Sequence, residues 1–430
     1  TYYDPPSYQS ARSFTMNIAF VSLLVLIAAI FVGFFRKMNV GLIAILAVTI
    51  FASFIGTTDK EVIKGFSSSL FIMLLGVSLL CAVGITNGAL ELLSKKVLRL
   101  SGGHAFIAPI MLYIIGYGIA AIGPGCVPAL GIVAALSLPL AKTTGYSSTM
   151  LAIIGEMGSF AGRFSPITPE SALIRELAAP QGIQGYEIDV LIYATITTII
   201  LAVAAYFWFS RGKKSNAMAE REDIPSFNRM QLLTLAGFAV LIIGSAFFSR
   251  NVGLLAFAIG IFLILIGAAD EKKVFQAISW STLLMVTGFG MLMNIVISVG
   301  GVELLSNGLA SIMTPRTATA IQGLTAGIMS WFSSAIGVVW PTMIPTVGNV
   351  ATSVGISPVG LISIMCLTAS FAGLSPASTG GGLIMAAASS DPDFDKEKEN
   401  KLFLTLFAAS AVCLFVLVLV ALLGVYNILG

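Results

Sequence analysis

Apolar residues fall in runs of about 20, the length that carries an α-helix through the hydrocarbon core of a bilayer. Uninterrupted runs cover 14–35, 40–57, 67–87, 186–210, 229–249, 252–269, 281–299 and 402–428. Two more, 147–179 and 358–389, are long enough to cross but are interrupted by Gly, Ser and Pro. Segments 104–141 and 317–351 are apolar and broken near the middle, as expected of hairpins that enter and leave by one face. Residues 89–100 (ALELLSKKVLRL) predict a short interfacial amphipathic helix. The pattern predicts an all-α membrane protein with about ten transmembrane helices, two re-entrant helical hairpins and two broken helices.

Charge placement gives orientation. With the hairpins re-entrant, 16 of the 23 Lys and Arg residues fall on one side, from Arg36 and Lys37 to Lys396, Lys398 and Lys401. Six fall on the other: Arg12, Lys60, Lys64, Arg175, Arg250 and Arg316. Positive residues collect on the cytoplasmic side, so both termini are expected on the non-cytoplasmic side of the cell (inner or plasma) membrane. Composition agrees: 57% of residues are hydrophobic and 10% charged, against about 25% charged in soluble domains. A net charge of +3 gives no reason to expect nucleic acid as a partner. Four separated cysteines and one histidine, His104, predict neither a disulfide framework nor a thiolate or His-rich metal site. The first apolar run is long enough to span, so no cleavable signal peptide is expected.

The sequence also repeats itself. Residues 88–94 (GALELLS) recur at 300–306 (GGVELLS), and 128–133 (PALGIV) at 334–339 (SAIGVV). Residues 159–166 (SFAGRFSP) recur at 370–376 (SFAGLSP) with one residue deleted. The polar segment 211–228 divides the two copies as a cytoplasmic linker. The first repeat is 14–210, with hairpin 104–141 and broken helix 147–179. The second is 229–428, with hairpin 317–351 and broken helix 358–389. Five crossings per half make the halves inverted in topology, a recurring plan of secondary transporters whose solute site lies where the halves meet.

Four breaks carry the candidate chemistry: 122–126 (IGPGC), 162–169 (GRFSPITP), 331–335 (WFSSA) and 373–382 (GLSPASTGGG). Backbone groups freed by a break are costly in lipid and survive only inside protein or beside water. Helix N-termini at breaks favour an anion, and freed carbonyls at C-terminal ends favour a cation. Hydroxyls of Ser165, Thr168, Ser333, Ser334, Ser375, Ser378 and Thr379 add neutral donors and acceptors. Arg163 is a charge inside a span, with a planar fork suited to carboxylate or sulfonate. It either contacts the solute, pairs with Glu156 or Glu170, or snorkels. Either carboxylate could couple protons, although Glu170 beside Pro169 also reads as a helix N-terminal acid. Asn87 and Asn294 read as interhelical hydrogen bonders.

Residues 39–42 (NVGL), Gly65-Phe66, Gly76-Val77, Asn87-Gly88, 121–123 (AIG), 162–167 (GRFSPI) and 375–381 (SPASTGG) resemble the malonate/dicarboxylate carrier (MatC-type) permeases over 14–428. More distantly the chain resembles the divalent anion/sodium symporter family. The resemblance implies a homodimer in the lipid bilayer, an elevator-type motion, a small organic dianion as substrate and Na+ as coupling ion, with no other cofactor. It implies substrate contacts at Gly125, Cys126, Arg163, Ser165, Pro166, Thr168, Ser333, Ser334, Ser375, Pro376, Ser378 and Thr379. Sodium would be held at Gly123, Gly162, Ser333 and Gly373. The sodium/dicarboxylate branch carries Ser-Asn-Thr at both hairpin tips; here the tips are Gly123-Pro124-Gly125 and Ser333-Ser334-Ala335. Arg163 stands where the malonate carriers are expected to carry glycine. The alternative is proton-coupled or sodium-independent transport of another anion, such as a sulfonate, a tricarboxylate or arsenite. A channel is disfavoured because polar residues cluster at mid-depth breaks. An intramembrane enzyme is disfavoured because no nucleophile–base set or HExxH motif is present.

Overall fold

The first half of the chain runs through ten α-helices: α1 (Pro6–Arg36), α2 (Val40–Ile55), α3 (Asp59–Lys64), α4 (Ser68–Thr86), α5 (Ala89–Arg99), α6 (Ala108–Ala121), α7 (Cys126–Thr144), α8 (Ser148–Gly162), α9 (Pro169–Ala178) and α10 (Glu187–Phe209). The second half follows with α11 (Arg229–Phe248), α12 (Val252–Leu265), α13 (Glu271–Ala277), α14 (Trp280–Ser298), α15 (Gly301–Ser311), α16 (Ala318–Phe332), α17 (Trp340–Met343), α18 (Val347–Val354), α19 (Pro358–Ala372), α20 (Thr379–Ala388) and α21 (Lys396–Leu422). This computed structural model describes residues 6–36, 38–99, 105–123, 125–210, 224–248, 252–278, 280–376, 378–388 and 394–428, and among them there is no strand. His104, Pro124, Arg250 and most of the linker 211–228 lie outside the described residues.

The two halves repeat one order of elements: two helices, a short helix, a third helix, an amphipathic helix, a helical hairpin, a broken helix and a final long helix. The short helices α3 and α13 interrupt what the hydropathy pattern reads as loops. Each starts on a side-chain cap: Thr58 and Glu61 form a reciprocal capping box, and Asp270 accepts the Lys273 N–H. The predicted interfacial helix is α5, and its counterpart α15 turns away from α14 by 76°. The hairpin 317–351 is less regular than expected. Its return arm passes through a π-helical turn, Ala335–Val339, then α17, a 3-10 turn and α18. Pro341 and Pro345 lie in this stretch, and each removes a backbone donor that a continuous α-helix needs.

Packing crosses between the halves, α2 against α14 and α4 against α12. Glycine makes both contacts possible. A Cβ on Gly41 would collide with the Leu284 carbonyl, one on Gly288 with the Gly41 carbonyl, and one on Gly76 with the Gly253 carbonyl. Gly253 lies 212 positions after Gly41, and Gly288 lies 212 after Gly76. The two close approaches therefore exchange under the same offset as the GALELLS repeat.

Helices α8 and α19 are buried on every side from Met150 to Gly162 and from Gly360 to Ala372. A helix apolar all round belongs in an interior, and both breaks lie at its C-terminal end, enclosed by protein. The outer helices face outward with apolar side chains: Ile196, Ile200, Val203 and Phe207 on α10 and Val412, Phe415 and Leu419 on α21 are exposed. Lipid would solvate such a belt. Among the described residues, Glu187–Phe209 and Lys396–Leu422 are each long and apolar enough to cross a membrane alone, and the bent pair in α14–α15 is a third candidate. Further apolar helices, among them Ile18–Gly33, Val40–Ile55 and Pro358–Ala372, cover 10–17 described residues each.

Candidate functional site

The four breaks are far apart in sequence, yet residues from all four line one cavity of about 90 Å3. Cys126 comes from the first hairpin tip, Arg163 from the α8–α9 break, Ser334 from the second tip, and Gly373, Ser378 and Thr379 from the α19–α20 break. The buried C-terminal ends of α8 and α19 bring the breaks together. Phe160 and Phe371, equivalent residues of the repeat, meet there with ring centroids 5.6 Å apart.

Arg163 is the charged wall of this cavity. It is 5% exposed, which excludes snorkelling. Its Nη2 lies 3.7 Å from Glu170 Oε1, its Nη1 donates to Ser370 Oγ at 3.2 Å, and its guanidinium stacks 4.8 Å above the Trp340 ring. Its Nε has no partner among the described residues. Arg163 thus pairs with Glu170 and still faces the cavity. Pairing with Glu170, one of the alternatives that the sequence leaves, does not withdraw Arg163 from the cavity.

Glu170 does more than cap its own helix. Its Oε1 accepts the Cys126 N–H at 2.7 Å, so this carboxylate occupies the N-terminus of α7. A helix N-terminus favours such a charge. The position where a solute carboxylate was expected at Gly125 and Cys126 is therefore filled by the protein's own acid. Gly125 is required beside it: its φ is +78°, and a Cβ there would lie 2.6 Å from Glu170 Oε2.

Several expected contacts lie outside the cavity lining. Thr168 is buried, donates to the Arg163 and Ser165 carbonyls and accepts the Ser171 N–H, so it closes the first break and starts α9. The Pro166 carbonyl accepts from Arg175 Nη2 at 3.2 Å. The Ser165 N–H donates to the Gly162 carbonyl, and Gly381 N–H donates to that of Gly373, which leaves each carbonyl one lone pair for a cation. Ser333 Oγ bonds back to the Met329 carbonyl, Ser375 is buried inside its turn, and Gly123 and Pro376 sit beyond the lining. Ser330, Met285, Ser370 and Gly380 line the cavity without having been expected. Ser370 was findable, because the SFAG repeat places it one turn before the second break. Asn87 bonds Thr234 Oγ1 at 2.8 Å between helices, as read, and Asn294 reaches the Glu61 carbonyl. Among the described residues no group of three or more His, Cys, Asp or Glu could hold a metal ion.

Buried broken helices around a small polar cavity, inside a lipid-facing helical shell, define the class of a membrane transporter rather than an enzyme. The family described as dicarboxylate carrier protein MatC N-terminus matches residues 16–163, so that part of the chain, ending on Arg163, is similar to the MatC carriers. The matched part is roughly a third of the chain. No curated protein matches. The fold is similar to that of the YdaH transporter of Alcanivorax borkumensis, with a TM-score of 0.55 and 14% identity over 88% of this chain and 90% of that one. It is also similar to MtrF of Neisseria gonorrhoeae, described with a class of antimetabolite efflux pumps, with a TM-score of 0.51 and 15% identity over 88% of this chain and 83% of the other.

Proposed function

We propose that this protein is a secondary active symporter of a small organic dianion, such as malonate or another C3–C4 dicarboxylate, coupled to sodium. The observation that carries the reading is the meeting of all four breaks at one cavity walled by Arg163. The MatC match over residues 16–163 supports the substrate class. Charge balance supports a coupling cation. Arg163 and Glu170 together are neutral, so a dianion entering the cavity meets no net positive charge and needs co-bound cations to offset its desolvation.

The same reading extends to architecture. The exchange of Gly41 and Gly288 for Gly253 and Gly76 supports two inverted halves related by a pseudo-two-fold axis. A second hydrophobic cluster, built mainly from α1, α2, α14 and α15, supports a scaffold part; Val338 of the second hairpin packs into it, and Met285 of α14 reaches the cavity. On this proposal the hairpins and broken helices move as an elevator within a homodimer in the cell membrane, both termini on the non-cytoplasmic side. The test is uptake of labelled malonate and succinate into proteoliposomes with and without a sodium gradient. Sodium-driven accumulation is expected. Failure with every small dicarboxylate and sulfonate would end the substrate reading, and accumulation indifferent to sodium would end the coupling.

A further inference from the structure

We propose that Glu156 is a proton-binding site of this carrier, whose protonation is required for the anion to bind. The inference rests on the anion site above and adds a coupling group to it. Glu156 lies on α8 and is wholly buried. Neither of its carboxyl oxygens has a hydrogen-bond partner among the described residues. It precedes Phe160 by four residues and Arg163, the C-cap of α8, by seven, so all three lie along one face of the helix and its cap.

That face meets the second break. Gly380, the second residue of α20, lines the cavity, and a Cβ on it would lie 2.6 Å from Glu156 Oε2. The carboxyl group therefore abuts the N-terminal end of a ten-residue helix, α20. The first hairpin tip is blocked by Glu170, so α20 offers a solute carboxylate the helix N-terminus that α7 does not. The two acids differ in support. Glu170 has Arg163 and the Cys126 N–H, whereas Glu156 has neither a cation nor a donor. An ionised carboxylate buried without either is not sustained, so Glu156 is a neutral acid in this conformation.

The titratable groups around it do not change this. Of the helices packed against α8, α6 carries Tyr113 and Tyr117, α7 carries Cys126 and Lys142, and α19 carries Cys366. On α10 stand Glu187, Asp189, Tyr193 and Tyr206; α20 carries none. Arg163 and Glu170, at the break, are engaged with each other. None of these side chains is hydrogen-bonded to Glu156.

The consequence is linkage. A neutral Glu156 can donate its proton in a hydrogen bond to an incoming carboxylate, while an ionised one repels it. Proton and anion then each strengthen the binding of the other by the same factor. When the cavity opens to water, loss of the proton expels the anion.

The test uses the whole chain in two measurements. Infrared spectra of the purified protein near neutral pH are expected to contain a protonated carboxylic-acid band that Glu156→Gln removes and Glu156→Asp retains. In proteoliposomes holding a pH-sensitive dye, malonate uptake is expected to acidify the lumen. Glu156→Gln, which mimics the neutral acid, should still exchange external for internal malonate while its malonate-driven acidification falls about tenfold or more. Glu156→Asp should acidify. A wild type without the Glu156 band overturns the proposal whatever the substrate, as does a Glu156→Gln that acidifies like the wild type. Loss of sodium dependence in that variant, with acidification intact, assigns Glu156 to a metal cation instead. If the wild type takes up no dicarboxylate, the anion reading fails, and the infrared band still decides Glu156.

Discussion

The two helix breaks follow the same four residues, SFAG, yet they differ in chemistry. At the first, the repeat SFAG is followed by Arg163, and Glu170 answers it from α9. That pair also ties the first hairpin tip to its broken helix through the Cys126 N–H. At the second, SFAG is followed by Leu374, and the break contributes glycines and hydroxyls to the cavity, none of them charged. The first tip is thus closed by the protein's own ions, while the second, at Ser334, faces the cavity. The likeness of the two breaks goes with the enclosure, and their difference supplies the polarity of the cavity.

The sharpest way to break this comparison is at its charged side. Arg163→Ala leaves Glu170 buried without its cation, a loss of about 3–5 kcal/mol for a broken buried pair. Malonate uptake is expected to fall about a hundredfold or more, the factor that about 3 kcal/mol represents, as initial rates in proteoliposomes would show. Next is Gly125→Ala, which forces a side chain to a left-handed φ and against Glu170. It should destabilise the protein by about 2 kcal/mol in reversible unfolding, more than any alanine at the second tip. Ser370→Ala removes the hydroxyl that holds Arg163 from the second half. It should weaken malonate binding about tenfold, the worth of a hydrogen bond to a charged group. Ser334→Ala removes the cap on Gly337 and should cost about 1 kcal/mol of stability. Ser165→Ala lies outside the cavity lining and should leave malonate affinity within about twofold of the wild type. Equal losses for Ser165→Ala and Ser370→Ala would mean that the cavity is not the binding site.

Much of the fold was legible because hydropathy runs and Gly-Pro breaks are local signals. The breaks after Gly162 and after Gly373 fall where the repeat and the prolines indicate. The reciprocal capping of α3 was also written in the sequence, as Thr58 followed three positions later by Glu61, but the surrounding hydropathy masks it. The irregular arm after Ser334 was harder, since Pro341 and Pro345 act on a segment whose apolar character still reads as continuous. The site was legible by region and not by atom. Hydroxyls at a break can turn inward to cap it, as Thr168 does, or outward to a cavity, as Ser378 and Thr379 do. Composition carries no information about that choice. Glu170 shows the same limit: its position after Pro169 predicts a helix-start acid, but its target is the N-terminus of α7, 44 residues earlier.

The central claim is that Arg163 draws a small dianion into the shared cavity, and a thermal-shift titration tests it directly. A ligand that binds the folded state raises its melting temperature with concentration. Malonate in sodium buffer should raise the melting temperature of the wild type and leave that of folded Arg163→Ala unchanged. An equal rise in both proteins would contradict the account.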